Sequence, residues 1–257
     1  MEKKNTWDFE NINPYKKRAP FFVRMEHLAR YRWAKEMLRR NNSLKVLDVA
    51  CADGYGTSQL CAEGREVHGV DKSQSLIQKA KLNCKMCEFH QLDVDDDEQA
   101  LINLSPFDAI CCFETLEHVK YPIRLLEVLS ECLTREGFLL LSVPNGDFEP
   151  LDGDGNIISE YHKHAFSDAQ LTRMIHNCGM EVEQKLHQHL SAQLHRNFNN
   201  TARDRDVTKA ELESFFPKDE AKLDLLSEIF AWPDDVQGKS YNMIYLCKKA
   251  SCGKMHG

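Results

Sequence analysis

The 257-residue chain contains no run of about 18 apolar residues, and its first twenty residues, MEKKNTWDFENINPYKKRAP, carry no apolar stretch of the signal-peptide kind. Neither a membrane span nor a secretory signal is expected, and the expected compartment is the cytoplasm. An excess of positive charge is also missing. The 33 Lys and Arg stand against 40 Asp and Glu, a formal net charge of −7. Neutralising phosphates takes clustered Lys and Arg, so a non-specific nucleic-acid partner is disfavoured and small or neutral partners stay open. A second cysteine pair at zinc spacing is absent too, which leaves Cys84 and Cys87 as a lone CxxC with a structural reading. With no export signal, the ten cysteines are expected as reduced thiols. Cys51, Cys111, Cys112 and Cys247 lie in apolar runs, where cysteine acts as a small core residue.

What is present is an ordinary globular composition, 42% hydrophobic and 28% charged, which excludes intrinsic disorder. The length fits one large α/β domain, or a domain of roughly 150 to 200 residues with an appendage. Apolar runs alternate with amphipathic stretches at intervals of about 20 to 30 residues, the rhythm of helices covering both faces of a parallel sheet. A helix over 22–40 leads in. Strands follow at 44–50, 66–71, 87–92, 107–113 and 135–145, with helices at 57–63, 73–83 and 122–133. A helix at 167–177, a strand at 180–190 and a last strand at 241–249 complete the series.

The expected fold is therefore α/β: a doubly wound, Rossmann-like, mostly parallel seven-stranded sheet with helices on both faces. Residues 1–40 form an N-terminal helical segment, 41–190 with 240–249 the ligand-binding domain, and 191–239 a helical insertion. That insertion exceeds an ordinary connection, which suggests a lid or small subdomain before the last strand. His187, His189 and His195 alternate with Leu186, Leu190 and Leu194 and are expected to face solvent.

The densest chemical signal is VLDVACADGYGT (46–57), a buried strand that ends in a carboxylate and turns through glycine into a helix. Gly54 and Gly56 would let a ligand approach the backbone, and Asp48 could accept hydrogen bonds from it or from the loop. Asp71 ends the second strand, where an acidic side chain can bind both hydroxyls of a ribose. Dinucleotide and nucleoside binding both fit. Singly, Asp71 could be a helix cap and Asp93 a turn residue.

Taken in order, VLDVACADGYGT, VHGVDKS, FHQLDVDD, FDAICCFETLEHV and REGFLLLSVPN resemble the motifs of the class I S-adenosylmethionine-dependent methyltransferases over about residues 26–190. The resemblance implies S-adenosylmethionine as cofactor. It places Asp48, Ala50, Gly54, Tyr55 and Gly56 at its methionine end, and Asp71 with Lys72 at the ribose. Asp93 and the Val94 backbone would meet the adenine, with Phe113 and Glu114 closing the site. Ala50 and Ala52 stand where the family more often has glycine, which is tolerable if the backbone there has negative φ. Arg135-Glu136-Gly137 replaces the commoner Pro-Gly-Gly.

Glu114-x-x-Glu117-His118 would project two carboxylates and an imidazole to one side of a helical turn, a set able to bind Mg²⁺ or another divalent metal. SEYHKHAFS (159–167) adds His162 and His164 on the same side of the sheet. His118 or His164 could take a hydroxyl proton as the methyl group moves, with Glu117 orienting the imidazole. The E-x-x-E-H pattern resembles the small-RNA 3'-terminal 2'-O-methyltransferases and the ubiquinone-pathway O-methyltransferases. By that resemblance the candidate metal ligands are Glu114, Glu117, His118 and His164. An E-H-V run also occurs in methyltransferases without a metal, where it only shapes the pocket. The stretches RYRWAKEML, SVPN and HKHAFSDAQL add a likeness to methyltransferases of bacterial glycan and nucleotide-sugar pathways.

The expected function is O-methylation of a small-molecule or sugar/glycan hydroxyl, with a homodimer as a candidate assembly. Two rivals stand beside it. An RNA 3'-terminal 2'-O-methyltransferase would need a basic or aromatic insert, whereas 191–240 is mixed to acidic; a non-catalytic cofactor-binding regulator would not need the histidines.

Overall fold

The computed structural model describes residues 13–15, 21–149, 151–188, 220–230, 232–235, 240 and 242–250. Helix α1 (Phe21–Arg40) precedes β1 (Lys45–Val49), α2 (Tyr55–Leu60), β2 (Glu66–Asp71), α3 (Gln74–Asn83) and β3 (Glu88–Gln91). Then come α4 (Glu98–Leu104), β4 (Phe107–Phe113), α5 (Pro122–Cys132) and β5 (Leu133–Pro144). A single 3-10 turn (Gly146–Phe148) leads to α6 (Asp168–Asn177), β6 (Met180–Gln188), α7 (Glu220–Phe230) and β7 (Asn242–Lys249).

The seven strands form one sheet in the order β3-β2-β1-β4-β5-β7-β6. All pairings are parallel except those of β7, which runs antiparallel to both β5 and β6. The expected doubly wound, mostly parallel seven-stranded α/β fold is what the chain adopts. Chain order reverses between β1 and β4, and a crevice opens at the carboxyl ends of those two strands. β1 and β4 are apolar along most of their length because both of their faces are covered, each carrying a single aspartate, Asp48 and Asp108. On β4, Ile110 and Cys112 pack toward α5 and α6, while Ala109, Cys111 and Phe113 pack toward α1. The four cysteines named above are all buried, Cys111, Cys112 and Cys247 on strands and Cys51 in the turn after β1.

Local signals place the helix ends. Ser73 caps α3 by accepting from the Leu76 N–H, Pro122 opens α5, and Ser167 with Gln170 forms a reciprocal capping box on α6. Sequence reading missed α4, because its acidic lead-in LDVDDDE looks like a plain turn and the helix buries only Leu101. Residues 189–219, most of the expected insertion and including His189 and His195, lie outside the described residues. Of that insertion α7 is described, and its Leu223 packs on Met25, Leu28 and Ala29 of α1. His187 is half-buried and meets the Ser240 hydroxyl at 3.0 Å, so it does not simply face solvent. Among the described residues no helix is long and apolar enough to cross a membrane.

The cysteines bring one correction. Cys61 and Cys87 form a disulfide, so the expectation of ten reduced thiols fails, and the CxxC is not alone. Cys61 lies just past the end of α2, where the α2 and α3 packing brings it to the Cys84–Cys87 loop; Cys84 Sγ is 3.3 Å from Cys87 Sγ. Spacing rules search for a second pair along the chain and cannot see a partner 26 residues away. Closing a loop of that size restricts the unfolded chain by roughly 3 kcal/mol in the chain-entropy picture. Reduction should therefore lower the urea midpoint of the wild type and leave that of Cys61→Ser/Cys87→Ser unchanged, and equal midpoints before and after reduction of the wild type would show the bridge adds no stability.

Candidate active site

The crevice at the β1–β4 crossing holds a cavity of about 610 Å³, walled by α1, the turn after β1, the ends of β2, β3 and β4, and the 159–167 loop. The turn after β1 is strained. Ala50 (φ 55°) and Ala52 (φ 50°) both adopt the left-handed conformation, as does Glu114 (φ 47°) at the end of β4. Negative φ was the condition under which alanine would be harmless here, and the structure contradicts it. Each such residue costs about 1–2 kcal/mol, and all three line the cavity. The strain is held by neighbours: the Cys51 N–H donates to the Val70 carbonyl (2.9 Å) and the Ala52 N–H to Asp71 Oδ2 (3.0 Å).

Gly54 and Gly56, expected to admit a ligand, instead admit protein. Gly54 (φ 77°) starts α2 against Phe89, and a Cβ on Gly56 would lie 2.0 Å from the Tyr31 ring. Asp48 is fully buried behind the wall rather than on it. It accepts from Thr57 Oγ1 (2.6 Å) and Tyr31 Oη (3.1 Å). Burial pushes its carboxyl up to about 7, although those two hydrogen bonds pull the other way.

Ala50, Tyr55, Asp71, Lys72, Asp93, Val94, Phe113 and Glu114 all reach the cavity. Asp71 is fixed at both oxygens, since Oδ1 also accepts from the Ser73 N–H (2.8 Å). Partial burial raises its carboxyl above the usual range. Asp93 orders the next turn by accepting from the Asp95 N–H (3.0 Å), and Asp95 accepts from the Lys120 N–H (2.8 Å). This ties the β3 end to the loop after β4. The cavity is also lined by a residue that sequence reading missed. Arg30 of α1 is 1% exposed, donates from Nη1 to Gln188 Oε1 (3.0 Å) and lies 3.6 Å from Glu114 Oε1. Its Nε and Nη2 have no hydrogen-bond partner among the described residues. Arg30 lines the cavity, and a buried guanidinium with two nitrogens unpaired among the described residues favours an anionic group beside it. The available signal was an arginine on the apolar face of α1, between Ala29 and Trp33.

The third group lies at the end of β4. Glu117 is buried, with Oε1 3.6 Å from His118 Nε2 and Oε2 without a hydrogen-bond partner among the described residues. Burial first, then the neighbouring Glu114 charge, hold its carboxyl well above the usual carboxylate range. His118 Nδ1 meets the Tyr161 carbonyl at 2.9 Å, so in the neutral ring it is Nδ1 that carries the proton. The second imidazole here is His162, 5.1 Å from His118 between ring centres, with Nδ1 2.9 Å from Glu149 Oε1. His164, named as catalytic and as a metal ligand, is placed elsewhere. The Glu117 carbonyl accepts from the N–H groups of both Lys163 and His164, which turns the loop there. The His164 ring stacks on Phe166, bonds the Val119 carbonyl (3.0 Å) and lines a separate cavity against α6. One ligand atom each from Glu117, His118 and His162 lies within 4.8 Å of the others. Glu114 of the expected metal set is instead engaged by the Ser142 hydroxyl (2.8 Å) and Arg30.

Asp48 makes a pH-dependent contribution with a definite sign. Its carboxyl holds a proton to about pH 7 when folded but only to 3.8 when unfolded, so folded stability falls as pH rises between those values. Asp48→Asn removes that slope. Its stability relative to wild type, from urea unfolding, should improve from pH 4 to pH 8, and a pH-independent difference would overturn the assignment.

A family model described as a methyltransferase domain matches residues 24–208. The ubiquinone biosynthesis O-methyltransferase of Histophilus somni is 30% identical over 111 residues, 41% of this chain and 47% of that protein. That of Coxiella burnetii is 36% identical over 108 residues, 40% and 45% of the two chains. The chain spans about half the length of the curated relatives it matches. A solved S-adenosylmethionine-dependent methyltransferase from Clostridium acetobutylicum shares the fold with a TM-score of 0.57 at 13% identity, covering 88% of this chain and 92% of that one. Magnesium protoporphyrin IX methyltransferase from Synechocystis does so with a TM-score of 0.55 at 13% identity, over 93% and 88%. On the match across residues 24–208 and the strand order that carries it, this chain belongs to the class I S-adenosylmethionine-dependent methyltransferases.

Proposed function

We propose that the chain transfers a methyl group from S-adenosylmethionine to a hydroxyl oxygen of a small-molecule or sugar/glycan acceptor. The observation that carries this reading is one continuous cavity lined by Asp71 and by Glu117, His118 and His162. Asp71 and Lys72 would hold the ribose, Asp93 and Val94 the adenine, and the bare donors of Arg30 the carboxylate of the methionine part. The cofactor supplies an already activated methyl group, so the protein's work is chiefly orientation and proton removal.

His118 suits proton removal. With its Nδ1–H given to the Tyr161 carbonyl, Nε2 is the basic nitrogen, and it faces Glu117. A hydroxyl needs such a base because its proton must leave as the oxygen takes the methyl group. The curated relatives that match act, by name, as O-methyltransferases, which favours oxygen as the acceptor atom. The same side chains fit a divalent metal. Two imidazole nitrogens and a carboxylate oxygen converge, and Glu117 Oε2 is orphaned. Bound there, Mn²⁺, Co²⁺ or a similar first-row ion, which two imidazoles and a carboxylate suit better than Mg²⁺, would act as a Lewis acid that lowers the acceptor's pKa. Glu117, His118 and His162 would hold it, in place of the four residues named from sequence. We assign α1, with α7 packed on it, to the acceptor cover, which excludes water from the transfer.

Asp71→Ala should abolish cofactor binding measured by calorimetry, and unchanged affinity would remove Asp71 from the ribose role. His118→Ala should lower kcat by about 10²- to 10⁴-fold while cofactor affinity holds. If the metal takes part, EDTA abolishes turnover and Mg²⁺, Mn²⁺ or Co²⁺ restores it; full turnover in chelator leaves His118 as base alone.

A further inference from the structure

A second histidine cluster lies away from the cavity, on the face of the sheet shared with Phe107. Alternation along β2 puts Glu66 and His68 on this face, and β3 adds Glu88 and His90 beside them. His68 is nearly buried at 4% exposure. Its ring stacks on His90 with centres 5.3 Å apart, and meets the edge of Phe107 at 5.7 Å.

We propose that His68, His90 and Glu88 form a site for a zinc-type divalent cation, separate from the catalytic cavity. His68 Nδ1 lies 3.0 Å from His90 Nε2, and Glu88 Oε2 lies 3.8 and 3.9 Å from those two nitrogens. The point equidistant from the three atoms is about 2.1 Å from each, within the usual Zn–N and Zn–O range. Orientation supports the same reading. His68 Nε2 is 2.5 Å from Glu66 Oε1, so the ring proton is drawn to Nε2 and the Nδ1 lone pair turns toward His90 and Glu88. A carboxylate behind a ligating imidazole is the usual way a protein fixes the tautomer and aim of a metal ligand. Glu66 is in turn held by Lys45 Nζ at 3.2 Å.

Two imidazoles and one carboxylate favour a borderline first-row ion over Mg²⁺ or Ca²⁺, which prefer all-oxygen sites. Three protein donors leave a fourth position to water. The cation would staple β3, a four-residue edge strand, to β2. β3 runs directly into Leu92, Asp93 and Val94, so occupancy would firm the adenine end of the cavity without touching it.

The test is equilibrium dialysis of chelator-stripped full-length protein against Zn²⁺ alone, with thermal unfolding alongside. Wild type should bind one more Zn²⁺ per chain than His90→Gln, a half-exposed position where folding is spared, and Zn²⁺ should raise Tm in the wild type by more than in the variant. Glu66→Gln keeps all three ligands and should weaken this increment about 10- to 100-fold. His118→Ala should leave the increment intact, which separates it from any metal in the catalytic cavity. Equal stoichiometry and affinity in wild type and His90→Gln would overturn the site, as would loss of the increment in His118→Ala.

Discussion

One buried carboxylate sets the geometry around the cavity. Asp48, wholly inside the protein on β1, accepts hydrogen bonds from Tyr31 of α1 and Thr57 of α2. A carboxylate there would be costly without those donors, so the two helices and the strand are bound to one another through it. Gly56 is glycine because the Tyr31 ring occupies the place of its side chain. With Tyr31 fixed, the same helix face presents Arg30 and His27 to the cavity, and the turn between β1 and α2 is pressed into left-handed backbone at Ala50 and Ala52.

The cavity therefore combines strained backbone with unmet polar groups. Three non-glycine residues with positive φ line it, and so do Arg30 and Glu117, which among the described residues leave two donors and one oxygen without a hydrogen-bond partner. Each would be a defect in a core built only for stability. Together they leave the cavity wall with polar groups that no other described residue satisfies. The raised carboxyl of Glu117 is consistent with that, since a cation or a donor arriving beside it would restore its charge.

Legibility from sequence varied by kind of feature. The strands and their ends were readable from period-two alternation and from the carboxylates Asp48 and Asp71, and six of the named cofactor residues besides Asp71 and Lys72 reach the cavity. Gly54 and Gly56 were noticed for the right oddity and given the wrong partner, since a turn glycine signals close approach without saying what approaches. The reading at Glu117 and His118 found the cluster but completed it with His164 instead of His162. Both histidines sit in one polar loop, and only the pairing of the Glu117 carbonyl with Lys163 and His164 decides which ring turns inward.

What the sequence by itself determined is the βα rhythm, the doubly wound class and the carboxyl-end location of a nucleoside-type site, because these follow from local periodicity and from residues a few positions apart. What only the tertiary structure decided are meetings between distant segments: Cys61 with Cys87, Arg30 with Glu114, His162 with Glu117 and His118, and His68 with His90. Those depend on strand register, helix packing and the path of loops. Each is an outcome of the whole core closing, and no window of sequence contains both partners with the physical reason for their contact.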